Sequence, residues 1–220
     1  MDAPAIQVEA IVSYPFEENT FIAWREDRTD CLVVDPGLEP RKIVDFCEQR
    51  GLTPAAFLIT HGHSDHIGGN AALKQHWPEC PLAIGAKEAP KLTDPMLNLS
   101  AVFGLPITSP PADVTLDEQS VFDAAGIRLR ILETPGHSSG HVVYLVEDHE
   151  PPLAFVGDVI FAGSIGRTDF PDGDFNQLAA SIREKLFTLP SETVLFSGHG
   201  PETTVGEERA TNPFVGGQSA

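Results

Sequence analysis

The sequence predicts a layered α/β protein with sheets inside and helices outside, and two observations predict it. Apolar runs rich in β-branched residues, bounded by Gly, Pro and Asp, recur along the chain at strand length. Between some of them lie segments whose apolar residues follow helical spacing, a combination that buries sheets behind helices. The hydrophobic fraction is 41% over 220 residues, which supports a sizeable core within a single domain spanning 1–220.

In chain order, residues 6–12 (IQVEAIV), 20–24 (TFIAW), 31–35 (CLVVD) and 55–60 (AAFLIT) read as strands. A second set follows at 127–134 (IRLRILET), 141–146 (HVVYLV), 153–158 (LAFVGD) and 193–198 (TVLFSG). Residues 41–50 read as a helix, because Ile43, Val44, Phe46 and Cys47 fall on one side of it. Residues 65–75 and 175–186 have similar spacing, the latter opened by Asp174 or Asn176 as a cap. The Pro-rich stretch 104–113 (GLPITSPPAD) is a surface connection, and 215–220 is expected to be a flexible tail.

Net charge is −18, from 14 basic against 32 acidic side chains spread along the chain. That argues against nucleic acid or an anionic membrane surface as a partner, since either needs a basic footprint. Cys31, Cys47 and Cys80 lie outside any C-x-x-C and imply no disulfide framework. The N-terminus lacks a basic segment followed by a long apolar one, and no later run reaches membrane-spanning length. A cytoplasmic protein is expected, with no indication of oligomeric state.

The stretch LITHGHSDHIGG, residues 58–69, concentrates ligand chemistry. His61 and His63 follow the strand at 55–60 and can turn toward one point at its C-terminal edge. Asp65 and His66, in the first turn of the next helix, can reach a second point beside the first. Gly62, Gly68 and Gly69 leave room for an unusual backbone. His137, Asp158 and His199 also follow apolar runs, each preceded by glycine or close to one. Imidazole nitrogen and carboxylate oxygen are ligands that Zn²⁺ and Fe²⁺ accept. Together these residues could give three histidines to one metal, an aspartate and two histidines to another, and a bridging carboxylate.

This ordered set resembles the metallo-β-lactamase superfamily, a likeness running from about Val8 to Phe214. It implies an αββα four-layer sandwich holding two divalent metal ions, zinc first, with iron or manganese as alternatives. The resemblance puts one metal on His61, His63 and His137 and the other on Asp65, His66 and His199, with Asp158 bridging. Asp65 and Asp158 are the implied catalytic carboxylates, and Asp35 in VVDPG is an implied supporting one. Asp158 stands where antibiotic-hydrolysing zinc enzymes often carry Cys, which argues against β-lactam hydrolysis.

The stretches AGSIGRTDFPDGD and GHGPETTVGEERATNPF are similar to the glyoxalase II branch, the hydroxyacylglutathione hydrolases, in its short single-domain form. The resemblance implies a small-molecule thioester substrate such as S-lactoylglutathione, cleaved by metal-activated water without a protein nucleophile. Little chain remains after His199 for the helical domain whose basic residues clamp glutathione in longer members, so a loose grip on the carrier is expected. GRTDF also resembles the persulfide dioxygenases, which implies a single iron on His61, His137 and Asp158 as the alternative. Hydrolysis of another small ester or lactone is a further one.

Other signals weigh less. GHSSG, residues 136–140, fits the G-x-S-x-G nucleophile elbow, but the sequel reads as a strand and the elbow needs a helix there. His141 reads as a core or supporting residue, and His76 and His149 as structural. Arg167 could grip a substrate carboxylate or pair with Asp169 or Asp172. Phe170 is a candidate substrate contact; Phe161 and Phe175 could wall a pocket as well, but such residues are more often core, and they read as core.

Overall fold

The computed structural model describes residues 4–217. Its first six strands form one sheet in chain order: β1 (Ile6–Ser13), β2 (Glu18–Arg25), β3 (Asp30–Val34), β4 (Thr53–Ile59), β5 (Leu82–Gly85) and β6 (Val114–Leu116). The chain then enters a second sheet with β7 (Val121–Ala124), β8 (Ile127–Glu133), β9 (Val142–Val146) and β10 (Leu153–Gly157). After a separate hairpin, β11 (Ile160–Phe161) and β12 (Ser164–Ile165), it returns with β13 (Val194–Ser197) and β14 (Thr203–Thr204). The order across this sheet is β14-β13-β10-β9-β8-β7.

Alternation along the strands decides what each sheet face covers. In β8, Ile127, Leu129 and Ile131 point to the inter-sheet core while Arg128 and Arg130 are exposed. Phe21, Leu32, Val34 and Leu58 meet Tyr144 and Phe155 across the gap. A fully buried side chain of this kind contributes about 1.5–3 kcal/mol. The outer face of the first sheet is covered by α1 (Pro40–Arg50), α2 (Ser64–Ile67) and α3 (Asn70–His76), with Ile43 and Cys47 packed beside Val33 and Phe57. On the second sheet α4 (Phe175–Ser181) and α5 (Val205–Thr211) play the same part, Leu178 and Val205 lying with Val143 and Leu145. The layers therefore run αββα. Among the described residues no helix is long and apolar enough to cross a membrane.

Several local expectations change. The helix expected over 65–75 is two short helices, because the Gly69 N–H bonds to the Pro36 carbonyl at 2.8 Å instead of continuing the helical ladder. Gly68 and Gly69 keep ordinary right-handed angles. Glycine is required at 69 for close approach: a Cβ there would lie 2.6 Å from the Gly37 carbonyl oxygen. Asp174 is the cap of α4, accepting from the Gln177 N–H at 2.9 Å, and the helix widens into a π-type turn over Ile182–Leu186. Within the tail expected at 215–220, Val215 is buried, and Gly216 and Gly217 donate to the Asn212 and Arg209 carbonyls. The remainder of that segment, 218–220, lies outside the described residues.

Strand direction assembles the site. β3, β4 and β5 run parallel, and so do β10 and β13; β8 shares the direction of β10 because each is antiparallel to β9. The C-terminal ends of β3, β4, β8, β10 and β13 consequently deliver their following residues to the loop edge shared by the two sheets.

Candidate metal centre

All seven residues of the expected ligand set meet at that edge. His61 and His63 follow β4, Asp65 and His66 lie in α2, and His137, Asp158 and His199 follow β8, β10 and β13. His61 Nε2 and His137 Nε2 each lie 3.0 Å from His63 Nδ1 and are 3.3 Å from one another. Nitrogen donors on a tetrahedral zinc at 2.0–2.1 Å stand about 3.3 Å apart, so the spacing is that of a metal-ligating triad. Asp65 Oδ2, His66 Nε2 and His199 Nε2 form a second group, with His199 3.5 Å and His66 3.9 Å from Asp65. Asp158 lies between the groups, its Oδ1 3.4 Å from His66 Nε2 and its Oδ2 3.6 Å from both His137 Nε2 and His199 Nε2.

The backs of the rings determine which nitrogens face inward. Asp35 accepts from the Thr60 N–H and hydroxyl at 2.7 Å and from His66 Nδ1 at 3.1 Å. With its proton given to Asp35, the Thr60 hydroxyl is left to accept from His61 Nδ1 at 3.1 Å. His137 Nδ1 donates to the Arg167 carbonyl at 2.8 Å and His199 Nδ1 to the Phe16 carbonyl at 3.1 Å. Each of these four rings is thus held through Nδ1 and turns Nε2 to the centre, the arrangement that outer partners impose on metal-binding imidazoles. His66 Nε2 and Asp158 Oδ1 are buried with no hydrogen-bond partner. Such orphans are costly in a protein interior, and a cation between them satisfies both. The residues present therefore fit a pair of divalent ions.

Burial pushes His61 well below the ordinary imidazole range and His63 down to about 3, so both keep their lone pairs at neutral pH. Burial works against the His66 imidazolium too, but the Asp158 and Asp65 carboxylates outweigh it and raise that group. For Asp158 burial is again opposed, here by the His66 charge and hydrogen bond, and its carboxyl is held far below the usual carboxylate range. Glycine makes room in this crowded centre. Gly157 has φ 47°, and a Cβ on Gly198 would fall 2.4 Å from Asp158 Oδ1.

His141 stays behind the centre. Its Nε2 accepts from the Asp158 N–H at 3.2 Å and its ring stacks on His61 at 4.8 Å, so it orients two of the centre's residues without facing the gap. GHSSG is no elbow: Ser138 is buried, bonds to Glu88 at 2.5 Å and to Lys91, and precedes a strand. Glu88 and Lys91 were not singled out by the sequence. They are buried beneath the ligand loops, where Glu88 accepts from the Gly62 N–H at 2.8 Å and Lys91 pairs with Asp172 at 2.6 Å. No local motif marks them, because their partners are distant in the chain.

A cavity of about 360 Å³ opens above the centre. His63, Asp65, His137, Asp158 and His199 reach it, as do Phe161, Arg167 and Phe170. The core reading of Phe161 is thereby corrected, since it walls the cavity; Phe175 is exposed and lies off it. Of the two partners considered for Arg167, the structure shows Asp169, in a fork of 2.7 and 2.8 Å, while the guanidinium lies over the Phe170 ring at 4.2 Å. Phe16, Leu99 and Phe103 also line the cavity and were not anticipated.

The family model described as the metallo-beta-lactamase superfamily matches residues 14–199. YqgX of Bacillus subtilis, described as a probable metallo-hydrolase, is 41% identical, covering 93% of this chain and 95% of its own. The hydroxyacylglutathione hydrolase GloC of Haemophilus influenzae is 36% identical, covering 97% and 100%. Among solved structures, the BLEG-1 B3 metallo-beta-lactamase superposes with TM-score 0.91 at 37% identity, covering 96% and 100%. A di-iron-bound form of TTHA1623 does so with TM-score 0.81 at 36% identity, covering 94% and 99%.

Proposed function

The chain belongs to the metallo-β-lactamase superfamily, and from that membership we propose that it is a dinuclear metal-dependent hydrolase of thioesters of the S-lactoylglutathione type. The observation that carries the proposal is the pair of donor groups sharing Asp158 on the floor of one cavity. Full-length likeness to a hydroxyacylglutathione hydrolase supports the thioester. His61, His63 and His137 would hold one ion and Asp65, His66 and His199 the other, with Asp158 between the two groups. Zinc is proposed first, with iron or manganese compatible with the same nitrogen and oxygen donors.

When bound, two such ions supply Lewis acidity toward the scissile carbonyl and lower the pKa of a water. The chain's own residues do the rest. Asp65 lines the cavity and is placed to accept a hydrogen bond from a water there and so orient it. Asp35 and Thr60 keep His66 and His61 in the required tautomer, and Phe170, against His63 at 5.3 Å, excludes solvent from one side. A thiolate is a stable leaving group, so no general acid is needed. The partner is a small molecule, in keeping with a chain of charge −18 that offers nucleic acid no basic footprint.

The test is metal analysis of protein purified without added metal, followed by assays with S-lactoylglutathione, a β-lactam, and glutathione persulfide in an oxygen electrode. Two metal equivalents and chelator-sensitive thioester cleavage are expected. One iron with oxygen uptake and no cleavage would replace the hydrolase with a dioxygenase, and turnover of the β-lactam alone would replace the substrate.

A further inference from the structure

We infer that this site prefers thioesters whose larger, non-reacting portion is apolar and uncharged, such as an aryl or medium-length alkyl thiol, over a peptide carrier such as glutathione; this rests on the hydrolase reading above. Above its polar floor the cavity is walled by Phe16, Leu99, Phe103, Phe161, Ile165 and Phe170. Phe16, in the turn between β1 and β2, meets Phe103 edge to face at 6.2 Å and so joins two separate loops at the rim. Both rings are substantially exposed, 43% and 56%, and the Phe103 segment also exposes Met96, Leu97, Val102 and Leu105. Apolar surface gathered beside a functional cavity marks a place where a ligand covers it.

Charge points the same way. A glutathione carrier brings two carboxylates and one ammonium at neutral pH, and the net negative charge calls for a free cation. Arg167 is the only permanent cation among the described residues lining the cavity, and its fork is already occupied by Asp169 while its face rests on Phe170. Lys91, the nearby ammonium, is buried against Glu88 and Asp172 and does not line the cavity. Along the walls an anionic carrier therefore finds one cation, already paired with Asp169, while an apolar one finds six matching side chains.

The experiment compares two lactoyl thioesters on the metal-loaded protein, one of glutathione and one of benzyl thiol, together with calorimetry of the corresponding non-hydrolysable thioethers. The benzyl thioester is expected to have the higher kcat/KM by about tenfold or more, the scale of a modest apolar contact. Phe16→Ser and Phe103→Ser should lower that preference mainly through KM while metal content stays unchanged. Equal or better kcat/KM for the glutathione thioester overturns the inference and leaves the hydrolase reading standing. If neither thioester is cleaved, the hydrolase reading fails, and the thioethers decide separately: tighter binding of the benzyl compound supports the apolar site, and equal or weaker binding overturns it.

Discussion

Asp158 is the residue on which both donor groups depend, because its Oδ2 lies 3.6 Å from His137 of one group and from His199 of the other, while its Oδ1 faces His66. Asp158→Ala is expected to reduce bound metal from two equivalents to one or fewer and to abolish hydrolysis, with far-ultraviolet circular dichroism unchanged; full occupancy and normal turnover would remove Asp158 from the centre. Ser138 gives the contrasting case. Its hydroxyl is buried between Glu88 and Lys91 and lines no part of the cavity, so Ser138→Ala should cost about 1 kcal/mol of stability and retain metal and most activity. A variant with its metals intact and no turnover would bring back a serine nucleophile. The five histidines of the centre were legible because histidine is scarce and these lie just after strands or in the run that follows one, and Asp65 and Asp158 became legible through the ordered pattern they share with those histidines. Glu88, Lys91 and Asp172 were not, since charged residues are common and only distant chain segments give these ones their roles. Glu18 is similar: burial pushes its carboxyl well up, and nothing in the local sequence distinguishes it.

At the scale of elements, the same buried cluster ties three loops together. Glu88 accepts from the N–H groups of Gly62 and Gly140, one in each of two ligand loops, while Asp172 accepts from the Ser139 N–H at 3.0 Å. Lys91 neutralises both carboxylates, at 3.2 and 2.6 Å. Lys91→Met leaves the Glu88 carboxylate buried without its cation, a loss on the order of 3–5 kcal/mol, and should weaken metal binding at the His61, His63 and His137 group. Adding Glu88→Gln should recover part of the stability; thermal denaturation and competitive metal titration measure the two effects, and an unchanged melting temperature in the single variant would refute the account. Long strands with clear alternation, such as β8, were legible. β5, β6 and β7 were not, because runs of three or four residues carry too little periodicity. The break between α2 and α3 escaped notice because the Pro36 carbonyl that causes it comes from a remote loop.

For the whole molecule, pH acts through buried imidazoles. Burial lowers His61, His63 and His141 in the folded protein, so below the unfolded value of 6.5 the unfolded chain binds more protons than the folded one. These three imidazoles therefore withdraw stability from the metal-free protein as pH drops from about 6.5 toward 4, while the single Glu18 carboxyl, raised by burial, works against them. His66 and His199 are shifted upward despite burial, by carboxylates, and their contribution is already complete below 6.5, so it does not oppose this loss. Asp65 and Asp158, lowered from 3.8, add their own losses only nearer that value. His63 alone accounts for on the order of 2 kcal/mol by about pH 4.5, a fall in melting temperature of about 4–8 °C. Chelated protein scanned at pH 7 and about 4.5 checks this, and an unchanged midpoint would contradict it. The layered architecture was legible from recurrent strand and helix patterns, whereas the pairing of the two sheets was visible only in the fold. That pairing imposes an order of events on the newborn chain. The first sheet ends at Leu116 and the second begins at Val121, and each donor triad draws members from both sides of that junction. Neither half can assemble a triad alone, and the second stays incomplete until His199 has been synthesised and its strand has docked. Metal uptake thus follows the slow, non-local step of folding, and a loaded centre certifies that translation has passed residue 199 and that both sheets have closed.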